Sequence, residues 1–170
     1  KDYDLYGQGE AIVAGLAGLD GCSCCLEGYY ENKLATIQNF KAVGKMLLTA
    51  VSKAFGRKMM NEQMILNNIS NIVMRIYIAE SVMLRVKKKE EVLGQDVALN
   101  KDMLDTVVYD AAEFIRKEAK DCINSFVEDK DERGLYSKGV KHYTCVKGAN
   151  VKAARTRIAD KMIEENKYCF

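Results

Sequence analysis

The sequence contains no proline, where average usage would place about eight in a chain of this length. Proline breaks helix interiors and punctuates strand-rich folds, so its absence favours long uninterrupted helices. Histidine is nearly absent too, with His142 alone. A ferritin-like di-metal bundle needs Glu-x-x-His on two helices, so that chemistry is excluded. No Gly-x-x-x-x-Gly-Lys-Ser/Thr occurs and no Gly-x-Gly-x-x-Gly follows a strand, which leaves a phosphate-cradling loop unsupported. No apolar run approaches the roughly 18 residues of a membrane span. With 26 basic and 24 acidic residues the formal charge is +2, so no global field points to nucleic acid. The first ten residues do not form a signal peptide. The start at Lys1, without methionine, is read as the mark of a fragment of a longer protein.

What is present is helical periodicity. The first 30 residues hold glycines 7, 9, 15, 18, 21 and 28 and read as a connecting arm over 1–30, with a short helix from Glu10 to Leu19 weakened by two of them. The bundle proper is expected over 31–170. Leu34, Ile37, Phe40, Val43, Leu47, Val51 and Phe55 recur at steps of three and four, one face of a helix, and Gly56 supplies a stop. Ile65, Ile69, Ile72, Ile76, Ala79, Met83 and Val86 stripe a second helix from about Asn61 to Lys89. Lysines 87 to 89 suit the negative end of its dipole. Glu90 to Leu99 reads as a loop. Asn100 is expected to cap a third helix striped by Leu104, Val108, Ala111, Ile115, Cys122 and Phe126. A shorter helix follows around Asp131 to Tyr143, and Asn150 caps a last one striped by Val151, Ala154, Ile158 and Met162. Amphipathic rods of this kind must hide their apolar sides together, so the fold class is all-α: an up-down bundle of three long helices plus shorter ones, with an N-terminal arm.

Candidate chemistry is sparse. Cys22-x-x-Cys25 with His142-x-x-Cys145 offers three thiolates and an imidazole for a tetrahedral zinc; the competing reading, exposed or packed thiols, is the favoured one. Cys122 lies on an apolar stripe and reads as a small packed hydrophobe, and reduced thiols point to the cytoplasm. Glu80 interrupts the run Ile76 to Leu84. A buried, unpaired carboxylate there would be a base; pairing with a cation on a neighbouring helix, Arg116 being one candidate, is favoured. Asn67, Asn68, Ser70 and Asn71 on the same helix read as solvent or interhelical contacts. From Arg133 onward there are nine Lys/Arg against three acids. That excess reads either as a helical tail balancing acids elsewhere or as a basic face for an acidic surface.

Asn61-Glu62-Gln63-Met64-Ile65-Leu66 running into Ile76-Tyr77-Ile78-Ala79-Glu80-Ser81 resembles the extra helical domain of very-long-chain-type acyl-CoA dehydrogenases. Met103 to Phe126 falls where that family has its next long helix. Ile158-Ala159-Asp160-Lys161-Met162-Ile163 through Asn166-Lys167-Tyr168-Cys169-Phe170 resembles the tail of bacterial members. The likeness covers residues 31 to 170; the cysteines at 22, 24 and 25 are outside it. The resemblance implies an upstream catalytic core that binds FAD and carries a glutamate to take the α-proton of an acyl-CoA thioester. Hydride from the β-carbon then reaches the flavin. For the present segment it implies a second bundle packed on that core and tied to subunit contacts in a homo-oligomer, with membrane association in mitochondrial relatives. It places no catalytic, flavin-contacting or metal-binding residue here, so this chain alone is expected to bind no FAD and catalyse nothing. Leu5, Ile12, Val13, Leu16 and Leu19 on the arm are candidates for contact with the core. The competing expectation is a free-standing helical interaction module that uses its basic C-terminal face.

Overall fold

The computed structural model describes residues 4–19, 27–146 and 149–167. Within them lie six α-helices and no strand: α1 (Leu5–Gly15), α2 (Tyr29–Phe55), α3 (Gln63–Glu91), α4 (Ala98–Phe126), α5 (Lys130–Tyr143) and α6 (Val151–Glu165). Short 3₁₀ turns follow α1 and α2.

The three long helices form the frame. Tyr30 meets Glu90 and Lys41 meets Glu80, so residue numbers rise along α2 as they fall along α3. Asn71 meets Glu118 while Lys101 meets Glu90, which makes α3 and α4 antiparallel as well. Tyr29 with Asp105 at one end and Phe55 with Phe126 at the other run α2 and α4 side by side in the same direction. The 29 residues of α3 make a rod of about 43 Å at 1.5 Å per residue.

Burial follows the sequence stripes on all three. Every residue of the α3 stripe is buried, as are Ile37, Phe40, Val43, Leu47 and Val51 of α2 and Leu104, Val108, Ala111, Ile115 and Cys122 of α4. Each fully buried branched or aromatic side chain contributes about 1.5–3 kcal/mol, which outweighs the weak intrinsic propensity of β-branched residues in helices. Leu34 departs from its stripe and is 44% exposed.

The helix ends differ in detail from expectation. Gly56, at φ 51°, closes α2 in the left-handed region that glycine adopts without a Cβ penalty. Asn150 caps α6, its side-chain oxygen accepting from the Ala153 N–H at 3.1 Å, and Asp129 caps α5 in the same way. Asn100 does not cap α4. The helix begins two residues earlier, at Ala98, whose N–H donates to Asp96 Oδ1 at 3.0 Å. Aspartate at the preceding turn satisfies an orphan amide and acts on the positive helix end, which a neutral asparagine inside the first turn does not.

α1 lies across α2, and the reason is steric. At Gly9 an added Cβ would stand 1.9 Å from Thr49 Oγ1 and 2.9 Å from the Lys45 carbonyl oxygen. Gly139 on α5 makes the matching approach to Leu16 and Met46. Leu16 is fully buried, with Ile12, Val13 and Leu19 packed beside it. Leu16 therefore belongs to this bundle's own core, while Ile12, Val13 and Leu19 pack against it and stay partly exposed.

α6 is held differently. Of its stripe only Ala154 is buried, and Met162 is 40% exposed. Two forked pairs fix it to α4: Arg155 Nη2 donates to both oxygens of Asp110 at 2.9 Å, and Arg157 grips Asp102 at 2.6 and 2.7 Å. Arg155 and Arg157 of the basic C-terminal region are thus paired to acids of α4, and Lys161 is paired to Glu164 and Glu165 of its own helix.

Candidate functional site

The residues singled out as chemical can be followed only in part. Cys22 and Cys25 fall outside the described residues. His142 stands edge-on to the Tyr143 ring, 5.1 Å between centroids. Cys145 is disulfide-bonded, so its sulfur is not available as a thiolate ligand. Among the described residues no three His, Cys, Asp or Glu side chains group to hold a metal ion. Cys122 is a free, buried thiol; burial alone pushes its pKa up to about 12, the opposite of what a nucleophile needs.

Glu80 is paired, though not with Arg116. Its Oε1 accepts from Lys41 Nζ at 2.6 Å. Arg116 is held elsewhere: it donates to Glu113 Oε1 and to the hydroxyl and carbonyl oxygens of Thr144, clamping the end of α5 onto α4. Sequence spacing cannot distinguish the two partners, because both α2 and α4 flank α3. A buried carboxylate, Glu118 on α4, was not foreseen. It accepts from Asn71 Nδ2 at 3.0 Å, and Asn68 Nδ2 donates to its backbone oxygen at 3.3 Å. The asparagine cluster on α3 was its only signal. At the far end of the bundle Tyr29 donates to Asp105 and Tyr30 to Glu90. Burial, with the adjoining carboxylates, raises both hydroxyls well above the ordinary phenol range. Lys101 and Tyr30 together hold Glu90 below the usual carboxylate range. These groups lock helices together; none faces a pocket as a free acid or base.

The feature that stands out is a second apolar stripe on α3. Val73, Tyr77 and Leu84 are 54%, 71% and 56% exposed. They repeat at steps of four and seven, so they share one side of the helix. That side adjoins α2, where Leu34 and Leu48 continue it. Between the helices runs a groove of about 330 Å³, lined by Leu5, Gly44, Leu48, Ile69, Val73, Ile76 and Tyr77 together with Lys41, Lys45 and Glu80. A soluble surface seldom leaves such a strip uncovered unless something binds there.

A larger hollow of about 600 Å³ lies between α4 and α5, with Lys120 and Lys141 among its lining residues, as is the clamped Arg116. The described lining of the larger hollow has no aromatic ring for an isoalloxazine to stack on.

A family model described as "Acyl-CoA dehydrogenase, C-terminal domain" matches residues 39–142. No curated protein sequence matches the chain. Among solved structures, an acyl-CoA dehydrogenase complexed with FAD from Bacillus anthracis superposes with a TM-score of 0.87 at 22% identity, covering 99% of this chain and 28% of that one. The likeness shows a shared fold, and this chain spans a little over a quarter of the length of that neighbour.

Proposed function

The chain belongs to the acyl-CoA dehydrogenase C-terminal domain family, and on that premise we propose that it is the non-catalytic bundle of a flavin-dependent acyl-CoA dehydrogenase. In this reading the remainder of the parent polypeptide binds FAD and removes hydrogens from the α- and β-carbons of an acyl-CoA thioester. The present bundle (residues 31–170, with the arm 1–30 as its connection) packs on that catalytic part and supports assembly of a homo-oligomer. The observation that carries the proposal is the family match over residues 39–142, joined to the fold shared with a much longer FAD-bound dehydrogenase. Supporting it from the physical side, every buried acid described is tied to a cation or amide, and apolar surface is left over for a partner.

None of the described helices is long and apolar enough to cross a membrane. A cytoplasmic setting is proposed on the free thiol Cys122 and requires the Cys145 disulfide to open there. A free-standing module with a basic face is the lesser reading. Of the nine basic residues from Arg133 onward that would form that face, Arg155 and Arg157 are paired to acids of α4.

The test is to produce the full parent polypeptide with and without this segment. The whole protein should dehydrogenate acyl-CoA. The shortened form should keep its flavin but melt earlier or lose its oligomeric state, and adding the chain back in trans should restore it. A shortened enzyme unchanged in stability and assembly would refute the packing role.

A further inference from the structure

We infer that the apolar face shared by α2 and α3 is where the catalytic part of the parent polypeptide seats, with Val73 and Tyr77 as its central anchors. This rests on the reading just given and names the surface that reading needs. Three observations point to this occupant and this face.

The first is how α3 is built. Its inward stripe, Ile65 to Val86, already meets α2 and α4. The outward stripe of Val73, Tyr77 and Leu84 is therefore surplus to this bundle, and burying it against a partner is favourable. The second is the charge pattern. Lys45, which also lines the groove, donates to Gln8 Oε1 at 2.7 Å, and the ion pair Lys41–Glu80 is closed on itself at 2.6 Å. A partner can thus cover it without stranding a charge, and the surface selects an apolar complement. The third is chain geometry. Leu5, at the start of α1, lines the groove. Polypeptide preceding residue 1 is thereby delivered within a few residues of the groove, at high effective concentration. A family defined as a C-terminal domain has its catalytic part on that side of the chain.

The other apolar candidates fit less well. Met60 and Met64 are exposed but stand at the α2–α3 turn, outside the groove lining. Val92 and Leu93 lie in the connection before α4.

The experiment is maleimide labelling of Tyr77→Cys, and separately of Val73→Cys, read by mass spectrometry of the peptide carrying each position. It is run in the 170-residue chain and in the full parent enzyme. Both native side chains are more than half exposed, so neither change disturbs the bundle core, and a thermal melt checks this. Lys152→Cys on α6 serves as the control. The expected result is fast labelling at 73 and 77 in the chain alone, at least tenfold slower labelling in the parent, and equal rates for the control. Equal rates in both proteins would overturn the assignment of this face while leaving the parent reading intact. Protection in the isolated chain that grows with its concentration would assign the face to a second copy and also overturn it. A parent polypeptide that holds no FAD would instead remove the reading beneath.

Discussion

Lys41 Nζ stands 2.6 Å from Glu80 Oε1, joining α2 to α3 in the lining of an apolar groove. Each partner removes the reason to regard the other as chemically active. A carboxylate in an apolar run draws notice as a candidate base, yet here its charge is met by the facing lysine, and both side chains remain partly open to water.

Breaking this pair should have a small effect. Pairs with this degree of exposure are worth about 0.2–1 kcal/mol. Glu80→Gln is expected to lower the urea midpoint slightly and to leave dehydrogenation by the parent enzyme within about twofold of wild type. A loss of turnover by orders of magnitude in a folded variant would show that Glu80 takes part in the chemistry.

Gly9 and Gly134 make opposite predictions. Gly9→Ala must push against a backbone oxygen at 2.9 Å, which costs about 1–3 kcal/mol as overpacking. The change should lift α1 from α2, seen as faster proteolysis within residues 4–19. Gly134 lies inside α5 with open space where a Cβ would sit. Gly134→Ala should stabilise by about 0.5–1 kcal/mol through helix propensity. Equal effects from both would contradict the packing described.

The Cys122 thiol titrates near 12 in the folded chain, against 9.0 for an unburied thiol. It should resist alkylation at pH 8 until the protein unfolds. The unfolded state releases this proton first as pH rises from about 9 towards 12, so stability falls with pH across that window. Rapid native-state alkylation of Cys122 would contradict its burial.

α6 depends on exposed ion pairs, which salt screens over about 10 Å at 0.1 M and about 3 Å at 1 M. Hydrogen exchange of residues 151–165 should accelerate at high salt, and in Arg155→Met/Arg157→Met, while α3 and α4 stay protected. Uniform exchange across all helices under these conditions would mean that α6 is held by its apolar residues after all.

The long helices were legible in the sequence because each stripe has one place to go. Ile65 to Val86 on α3 is buried without exception. Where two solutions satisfy the same pattern, periodicity stops informing. Leu34 keeps the α2 step yet faces outward, and Val151, Ile158 and Met162 mark a helix that is pinned mainly by arginines. Glu80 had two flanking helices to draw a cation from, and only three-dimensional register chose Lys41. The arm was the least legible part. Its glycines read as a loose connection, whereas Gly9 is a close-packing position that lets α1 and Leu16 join the core. The outward stripe of α3 was hidden in plain view, since Val73, Tyr77 and Leu84 share their helix with a stronger inward pattern that dominates any single period count.

The most direct test of a chain that packs but performs no redox chemistry is titration of the purified 170 residues with FAD, followed by flavin fluorescence and the visible spectrum. The prediction is unquenched flavin, no spectral shift, a colourless protein after gel filtration and no bleaching on adding an acyl-CoA. A yellow protein that retains FAD and bleaches with acyl-CoA would contradict the account.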